Sequence, residues 1–185
     1  MHIEVIMAGF GGQGLMLAGK ILAHAGMDEG RQVAWIPSYG PEMRGGTANC
    51  TVVVSDGLIG SPILDRPWSV VAMNRPSFLK FEPRVKPGGL LVTNSSLIPE
   101  STQRTDILEF RLPATEIAHE HGTKLAANMV ILGAFIGLTN AADPNTVREL
   151  IRETFAAKAK ILEINFRAFD RGLQLARESG IVKEA

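Results

Sequence analysis

Three glycines near the amino terminus have the spacing of a phosphate-binding loop. Gly9, Gly11 and Gly14 match the pattern G-x-G-x-x-G within "AGFGGQGLM", directly after an apolar run. Backbone N–H groups at the start of a helix have no partner inside the helix, and the helix dipole adds partial positive charge there. The spacing therefore predicts a site for a phosphate or other anion at this loop. A tight strand-to-helix turn that needs glycine only for packing is the alternative.

A dinucleotide site requires a second signal, which the sequence does not contain. An acidic residue is expected at the end of the second strand, about 20 residues after the loop, to bind the ribose hydroxyls. That stretch reads "WIPSYG", and Glu42 lies further on, inside a loop. Arg31 precedes the strand, so no arginine is well placed for a 2′-phosphate. The pattern disfavours NAD, NADP and FAD as ligands.

A loop rich in glycine and polar residues follows the predicted second strand. It reads "PSYGPEMRGGTAN" and holds Tyr39, Glu42, Met43 and Arg44 between Gly-Pro and Gly-Gly pairs. Loops at the carboxyl ends of strands carry the ligands in α/β folds. The Arg44 guanidinium can bind a phosphate or a carboxylate through two parallel hydrogen bonds. The alternative is a solvated ion pair between Glu42 and Arg44 on a surface turn.

Alternating strands and helices must position these two loops. The first strand is predicted from Ile3 to Ala8, and the helix after the glycine loop ends near Gly26 to Gly30. Further strands are predicted at "QVAWI", "CTVVVS", "WSVVAMN", "LLVTNSS" and "DILEFRLPA", the last at an edge of the sheet. This order indicates a Rossmann-like, doubly wound α/β fold with a mainly parallel sheet. Residues 1–185 contain no repeat or linker, which predicts a single domain.

The carboxyl-terminal part is predicted to be helical. Helices at "ATEIAHEHG" and "NMVILGAFIGLT" follow the last strand, and the second is apolar on all sides and therefore buried. The small residues in "GAFIG" indicate close helix packing. Asp143 is predicted to cap the next helix, with Pro144 at its first position. The last helix is predicted from about Lys158 to Ser179.

Composition excludes several classes of protein. A formal net charge of zero and a pI near 6.9 disfavour a nucleic-acid-binding surface. Cys50, the single cysteine, cannot ligate an iron–sulfur cluster alone and is expected to be buried. His119 and His121 point to different faces of a helix, so no metal site is expected. The longest apolar run is about half the ~20 residues of a membrane span, and no signal-peptide pattern is found, which predicts a cytoplasmic protein without membrane contact.

Two asparagines lie where ligands bind in α/β sheets. Asn74 ends the predicted fourth strand, at the edge of the sheet that faces ligands. Asn128 begins the buried helix, where a capping role is the alternative to a functional one. Both are candidates for contact with a ligand or a subunit.

The glycine loop and the second loop together resemble the gamma subunit, or gamma domain, of the 2-oxoacid:ferredoxin (acceptor) oxidoreductases. The resemblance extends from "GFGGQG" through "PSYGPEMRGGTANC" and "IGSP" to the "NMVILGAFIGLT" helix, which is most of the chain. The form "SYGPEMRGG" is more similar to the 2-oxoglutarate and branched-chain 2-oxoacid members than to the pyruvate members.

The resemblance implies a subunit that is not catalytic alone. In this family a 2-oxoacid, by preference 2-oxoglutarate here, is oxidatively decarboxylated on thiamine diphosphate. Electrons pass through iron–sulfur clusters to ferredoxin, and coenzyme A accepts the acyl group. The thiamine diphosphate and the clusters belong to alpha, beta and delta-type subunits, which are the expected partners. The gamma part is associated with coenzyme A, whose 3′-phosphate and pyrophosphate suit a glycine loop without a ribose-binding acid.

Carried onto this chain, the resemblance implies two groups of contact residues and no catalytic residue. The group that binds phosphate is Gly9, Gly11, Gly12, Gln13 and Gly14. The expected donors are the backbone N–H groups of residues 11–14, to which the Gln13 side chain adds a hydrogen bond. The group that faces coenzyme A or the alpha and beta subunits is Ser38, Tyr39, Glu42, Met43, Arg44 and Thr47. For Arg44, binding the ligand and bridging to a partner's carboxylate are equal alternatives.

Two other functions remain open at this stage. A stand-alone nucleotide-dependent oxidoreductase is disfavoured by the missing ribose acid, and a copurifying dinucleotide would support it. A structural scaffold subunit with an empty glycine loop predicts that mutations in the loop leave coenzyme A dependence unchanged. Surfaces meant for partner subunits also allow the isolated chain to self-associate.

Overall fold

The computed structural model describes residues 1–39 and 47–181, which form six strands and six helices. The strands are β1 (His2–Phe10), β2 (Gln32–Tyr39), β3 (Thr47–Ser55), β4 (Ser69–Ala72), β5 (Leu90–Asn94) and β6 (Leu108–Leu112). The helices are α1 (Leu15–Asp28), α2 (Arg75–Phe81), α3 (Ala114–Glu120), α4 (Ala127–Thr139), α5 (Pro144–Phe155) and α6 (Ala159–Glu178). Short 3₁₀ turns cover Glu82–Arg84 and Lys124–Ala126. Each element that the sequence predicts is present, with shifted boundaries.

All of these strands belong to one sheet, in the order β2-β3-β1-β4-β5-β6. β1, β4, β5 and β6 are mutually parallel, whereas β3 is antiparallel to both of its neighbours. The predicted α/β fold with a mainly parallel sheet and β6 at an edge is confirmed. β1 lies between β3 and β4, and β2 pairs with β3 rather than with β1.

Side chains alternate between the two faces of the sheet, and helices cover both faces. One face, which includes Val5 and Met7 of β1, packs against α1, α4, α5 and α6. The other face, which includes Ile6, packs against Phe78 and Phe81 of α2. This alternation places neighbouring residues of one strand in separate apolar clusters. The carboxyl end of β1 therefore lies between two helical layers.

Helix α4 is central to the larger layer, and all of its residues are buried. It packs against α6 at the distance of backbone contact. An added Cβ at Gly133 would lie 2.0 Å from the Phe169 carbonyl oxygen, and one at Gly172 would lie 1.9 Å from that of Val130. The glycine in "GAFIG" therefore serves close packing, as predicted. None of the helices in the described part of the chain is long and apolar enough to cross a membrane.

Near the amino-terminal end of β1, the Glu4 carboxylate links this strand to other parts of the chain. It accepts hydrogen bonds from Lys86 Nζ at 2.7 Å and from the Trp68 backbone N–H at 3.3 Å, and it pairs with His2 Nε2 at 3.3 Å. Burial raises the pKa of Glu4, but the contacts with Lys86, His2 and Trp68 outweigh it and lower the pKa below its usual value. The charge of the Glu4 carboxylate is therefore balanced by groups of the same chain.

Candidate functional site

The glycine loop, residues 11–14, connects the end of β1 to the start of α1 at the opposite, carboxyl-terminal edge of the sheet. Gly12 and Gly14 have φ angles of +96° and +74°, which L side chains rarely adopt. Gly14 caps α1 in the left-handed conformation. The backbone N–H groups of Gly11, Gly12 and Gly14 make no hydrogen bond to any described residue, whereas that of Gln13 donates to the Phe10 carbonyl oxygen at 3.2 Å.

The Gln13 side chain is partly buried, lines a depression beside Gly12 and makes hydrogen bonds within the protein. Its Oε1 accepts a hydrogen bond from the Phe10 N–H at 2.7 Å, and its Nε2 donates to the Met73 carbonyl oxygen at 3.4 Å. Gly9 is buried and makes room for it, since a Cβ there would lie 2.4 Å from Gln13 Oε1 and 2.6 Å from Leu15 Cδ1. These contacts shape the loop, and contact of the Gln13 side chain with a ligand stays a prediction.

Asn74 joins the end of β4 to this loop. It is 2% exposed, and its Oδ1 accepts a hydrogen bond from the Ser77 N–H at 2.9 Å, which caps α2. Its Nδ2 donates to Gln13 Oε1 at 3.4 Å. The structure therefore brings Asn74 to the predicted edge, but as a buried residue behind the loop.

Asn128 reaches the loop from the other side. It is the second residue of α4 and is 3% exposed. Its Nδ2 donates to the Gly14 carbonyl oxygen at 3.0 Å, while its Oδ1 accepts from the Met129 N–H at 3.0 Å. An added Cβ at Gly14 would lie 2.4 Å from Asn128 Nδ2. Position 14 therefore needs glycine for its conformation and for this contact.

A further amide, Asn94, was missed in the sequence. It ends β5 and is fully buried, and its Nδ2 donates to the Met73 carbonyl oxygen at 3.4 Å and to Thr115 Oγ1 at 2.9 Å. Its signal was an asparagine at the end of a predicted strand, the same signal that identified Asn74. Asn94 and Gln13 thus donate to the same carbonyl oxygen, that of Met73, which precedes Asn74.

The second predicted loop starts and ends beside the first. Thr47, the first residue of β3, pairs with Phe10 at the end of β1, and Ser38 of β2 pairs with Asn49. Ser38 and Thr47 are exposed. Tyr39 is the last residue of β2, so β2 ends and β3 begins on the side of the sheet where the glycine loop lies. The other candidates in this loop, Glu42, Met43 and Arg44, lie outside the described residues.

Three adjoining depressions meet at Gly12. Their volumes are about 460, 310 and 200 Å³. Lys160 lines the largest and Lys124 the smallest, and both lysines are exposed. Among the described residues, no acidic side chain lines any of the three. Unpaired backbone donors and two cations therefore face the same space, which favours an anion.

The two lysines could not be found from the sequence. Lys124 belongs to the 3₁₀ turn before α4, and Lys160 to the first turn of α6. Neither lysine belongs to a sequence motif that includes the glycine loop. Only the path of the chain brings them to Gly12.

Cys50 lies behind the site and not in it. It is fully buried in β3, and its Sγ lies 3.6 Å from the Leu15 carbonyl oxygen. Burial raises the pKa of its thiol to about 12. The predicted buried, apolar cysteine is confirmed. Within the described residues, no group of three or more His, Cys, Asp or Glu side chains is placed to hold a metal ion.

Comparison with known proteins gives concordant results. The model of the family described as pyruvate ferredoxin/flavodoxin oxidoreductase matches residues 4–175. The ketoisovalerate oxidoreductase subunit VorA of Methanothermobacter thermautotrophicus is 44% identical over 180 residues, and the chain spans 37% of that subunit's length. The 2-oxoglutarate synthase subunit KorC of Methanothermobacter marburgensis is 35% identical, with 96% of this chain and 98% of the subunit covered.

Solved structures share the fold. The gamma subunit of a keto/oxoacid ferredoxin oxidoreductase from Geobacter sulfurreducens matches with a TM-score of 0.79 at 29% identity, over 94% of this chain and 98% of that subunit. The 2-oxoglutarate:ferredoxin oxidoreductase from Magnetococcus marinus, solved with 2-oxoglutarate, coenzyme A and succinyl-CoA bound, matches with a TM-score of 0.88 at 26% identity. That match covers 96% of this chain and 31% of the other.

Proposed function

Because the chain belongs to the pyruvate ferredoxin/flavodoxin oxidoreductase family, we propose that it is the gamma subunit of a multisubunit 2-oxoacid:ferredoxin oxidoreductase. The enzyme oxidatively decarboxylates a 2-oxoacid to the acyl-coenzyme A and reduces ferredoxin. In this proposal the glycine loop contributes to coenzyme A binding and the neighbouring loop to assembly. Thiamine diphosphate and iron–sulfur clusters are held by the alpha, beta and delta-type partners.

The observation that carries the coenzyme A proposal is a local excess of hydrogen-bond donors. The Gly14 carbonyl oxygen is occupied by Asn128 and by the Ala18 N–H, and the Phe10 carbonyl oxygen by the Gln13 N–H. The N–H groups of Gly11, Gly12 and Gly14 are left over, beside Lys124 and Lys160. Such a site accepts an acceptor-only group, and the phosphates of coenzyme A are of that kind.

The open space at Gly12 supports the same assignment. A Cβ added there would meet no heavy atom of residues 1–39 or 47–181 within 4 Å, so among these residues the glycine is required by its backbone angle and not by packing. Ser38, Tyr39, Glu42, Met43, Arg44 and Thr47 then belong to the side of the site that the alpha and beta subunits complete.

The substrate is proposed to be 2-oxoglutarate or a branched-chain 2-oxoacid. The relatives named for ketoisovalerate and for 2-oxoglutarate both align over 96% of this chain. The complex is proposed to be cytoplasmic, and the isolated chain to self-associate through the surfaces that its partners cover.

The test begins with the tagged chain, isolated anaerobically from its host with the proteins that copurify. The eluate is assayed for reduction of a viologen dye with 2-oxoglutarate, pyruvate or 2-oxoisovalerate, with and without coenzyme A. We expect copurifying subunits and coenzyme A-dependent reduction. A chain that copurifies with a dinucleotide instead would show a stand-alone oxidoreductase.

Substitution of the lysines tests the site itself. The double change Lys124→Ala and Lys160→Ala is expected to raise the half-saturating concentration of coenzyme A several-fold in the complex, since two cations facing the phosphates are lost. Lys20→Ala is the matched control, because Lys20 is an exposed lysine on α1 that lines a separate depression between α1 and α5. Equal effects of the double variant and the control would favour a scaffold with an empty loop.

A further inference from the structure

The glycine loop is held by three side-chain amides, one from the loop itself and two from the start of α2 and of α4. Gln13 bonds to the backbone of Phe10 and Met73, and Asn74 bonds to Gln13. Asn128 bonds to the Gly14 carbonyl oxygen. None of these amides is needed to close β1 or α1, since strand and helix hydrogen bonds are made by the backbone.

We propose that Asn128 is a positioning residue, which fixes the peptide between Gly14 and Leu15 and so directs the Leu15 N–H toward the anion, beside the donors of the loop. The inference rests on the proposed coenzyme A site and adds to it a residue that does not touch the ligand through its amide nitrogen. Gln13, within the loop, and Asn74, the N-cap of α2, support the loop through their own hydrogen bonds.

The geometry at Gly14 supports this role. The peptide between Gly14 and Leu15 has its carbonyl oxygen fixed by Asn128 Nδ2 at 3.0 Å and by the Ala18 N–H at 3.1 Å. Because a peptide unit is planar, fixing the carbonyl oxygen also fixes the direction of the Leu15 N–H. That N–H is among the first donors of α1, which have no partner within the helix.

The surroundings of Asn128 hold its amide in the orientation that contacts the Gly14 carbonyl oxygen. Its side chain is 3% exposed, and its own Oδ1 accepts from the Met129 N–H, which sets the orientation of the amide. It is the second residue of α4, a buried helix that packs against the backbone of α6 at Gly133 and Gly172. A closely packed helix therefore sets the position of a carbonyl group in the glycine loop.

The test uses the complete enzyme with variants of this chain. Asn128→Asp keeps the shape and the acceptor to Met129 but replaces the donor by a carboxylate oxygen that repels the Gly14 carbonyl. The half-saturating concentration of coenzyme A is expected to rise about tenfold, the effect of one hydrogen bond of ordinary strength. The turnover number at saturating coenzyme A and the half-saturating concentration of the 2-oxoacid are expected to stay unchanged. If this variant does not assemble, Asn128→Ser removes the same donor without adding charge.

Thr139→Val is the matched control. Thr139 is a buried polar residue of the same helix with two hydrogen bonds, to the Phe135 carbonyl oxygen and from the Ala141 N–H. It lies 11 residues after Asn128, roughly 16 Å along the helix axis. A purely structural role of Asn128 would be matched by a similar change in coenzyme A affinity in this control.

A ligand-free measurement accompanies the kinetics. Amide hydrogen exchange of the peptide spanning residues 11–18 is expected to accelerate in the Asn128 variant and not in the Thr139 variant. Unchanged exchange and an unchanged coenzyme A requirement in the Asn128 variant would overturn the inference.

A loop variant separates this inference from the proposed function. Gly12→Asp places a carboxylate at the anion site, so the requirement for coenzyme A must rise if the site is correct. If Gly12→Asp raises it and Asn128→Asp does not, the site stands and the positioning role is wrong. If Gly12→Asp leaves it unchanged, the proposed function fails and the inference with it.

Discussion

Replacing Gly14 by alanine is expected to destabilise the protein for two reasons that add. The residue has a φ angle of +74°, where a Cβ costs about 1–2 kcal/mol. The new Cβ would also lie 2.4 Å from Asn128 Nδ2 and 2.9 Å from its Cγ, so Asn128 must move. Movement breaks the bond to the Gly14 carbonyl oxygen and leaves a buried amide without its partner, at about 1–3 kcal/mol. The expected loss in the free energy of unfolding is therefore about 2–5 kcal/mol.

Gly12→Ala provides the comparison, because it adds the same methyl group two residues earlier in the same loop. Its φ angle is +96°, but no heavy atom in the described part of the chain lies within 4 Å of the added Cβ. Only the backbone strain remains, so the expected loss is about 1–2 kcal/mol. The measurement is urea-induced unfolding of the purified chain, followed by circular dichroism.

Two results would refute this reasoning. Equal losses for the two variants would mean that the contact between Gly14 and Asn128 contributes nothing to stability. A smaller loss for Gly14→Ala than for Gly12→Ala would mean that Asn128 moves away without cost. In either case Asn128 does not hold the loop.

Two further predictions concern titratable groups away from the site. The pKa of Glu4 is lowered in the folded chain from 4.5, so its contribution to stability is present above that pH and is lost as the pH falls through the folded value. Glu4→Gln should therefore lower the free energy of unfolding at pH 7 by roughly 1–3 kcal/mol, and the difference from wild type in urea titrations should shrink below pH 4.5; a constant difference would contradict the assignment. The pKa of about 12 for Cys50 predicts that iodoacetamide at pH 8 leaves the folded chain unmodified but alkylates it in urea. Mass spectrometry reports the adduct, and rapid alkylation of the folded chain would contradict the burial.

Local patterns were enough to predict the elements of this fold. The apolar run of β1, the glycine loop and the continuous apolar surface of α4 each report on the residues within one element. Asp143 is a further example, since its Oδ1 accepts from the Asn145 N–H at 2.7 Å as an N-cap does. Such contacts span a few residues, so spacing in the sequence contains them.

The order of the strands in the sheet could not be predicted from these local sequence patterns. A ribose-binding acid is expected at the end of the second strand only where that strand lies beside the first. In the structure β3 lies there, antiparallel to β1, and its first residue, Thr47, pairs with Phe10. The residues beside the glycine loop therefore come from the start of β3 as well as from the end of β2, where Ser38 lies. The absence of an acid after "WIPSYG" argued against a dinucleotide through a geometry that this sheet does not have.

The contacts that a side chain makes with distant parts of the chain also could not be predicted from the sequence. Position in the loop does not predict that the Gln13 amide bonds to Phe10, Met73 and Asn74. Met73 and Asn74 are about 60 positions away, directly after β4, and reach the loop only when the sheet has formed. Lys124 and Lys160 reach it by the same non-local route, so residue types alone could not assign them.

The two ends of β1 show why function is expected at one edge of the sheet and not at the other. At the amino-terminal end, the Glu4 carboxylate is matched by Lys86, His2 and a backbone N–H, so its charge is satisfied within the chain. At the carboxyl end, the side-chain amides bond to one another and to carbonyl oxygens, which removes acceptors and leaves backbone donors open. Donors without acceptors are costly unless a ligand or water supplies them. The same side chains that stiffen the loop thus give it its preference for an anion.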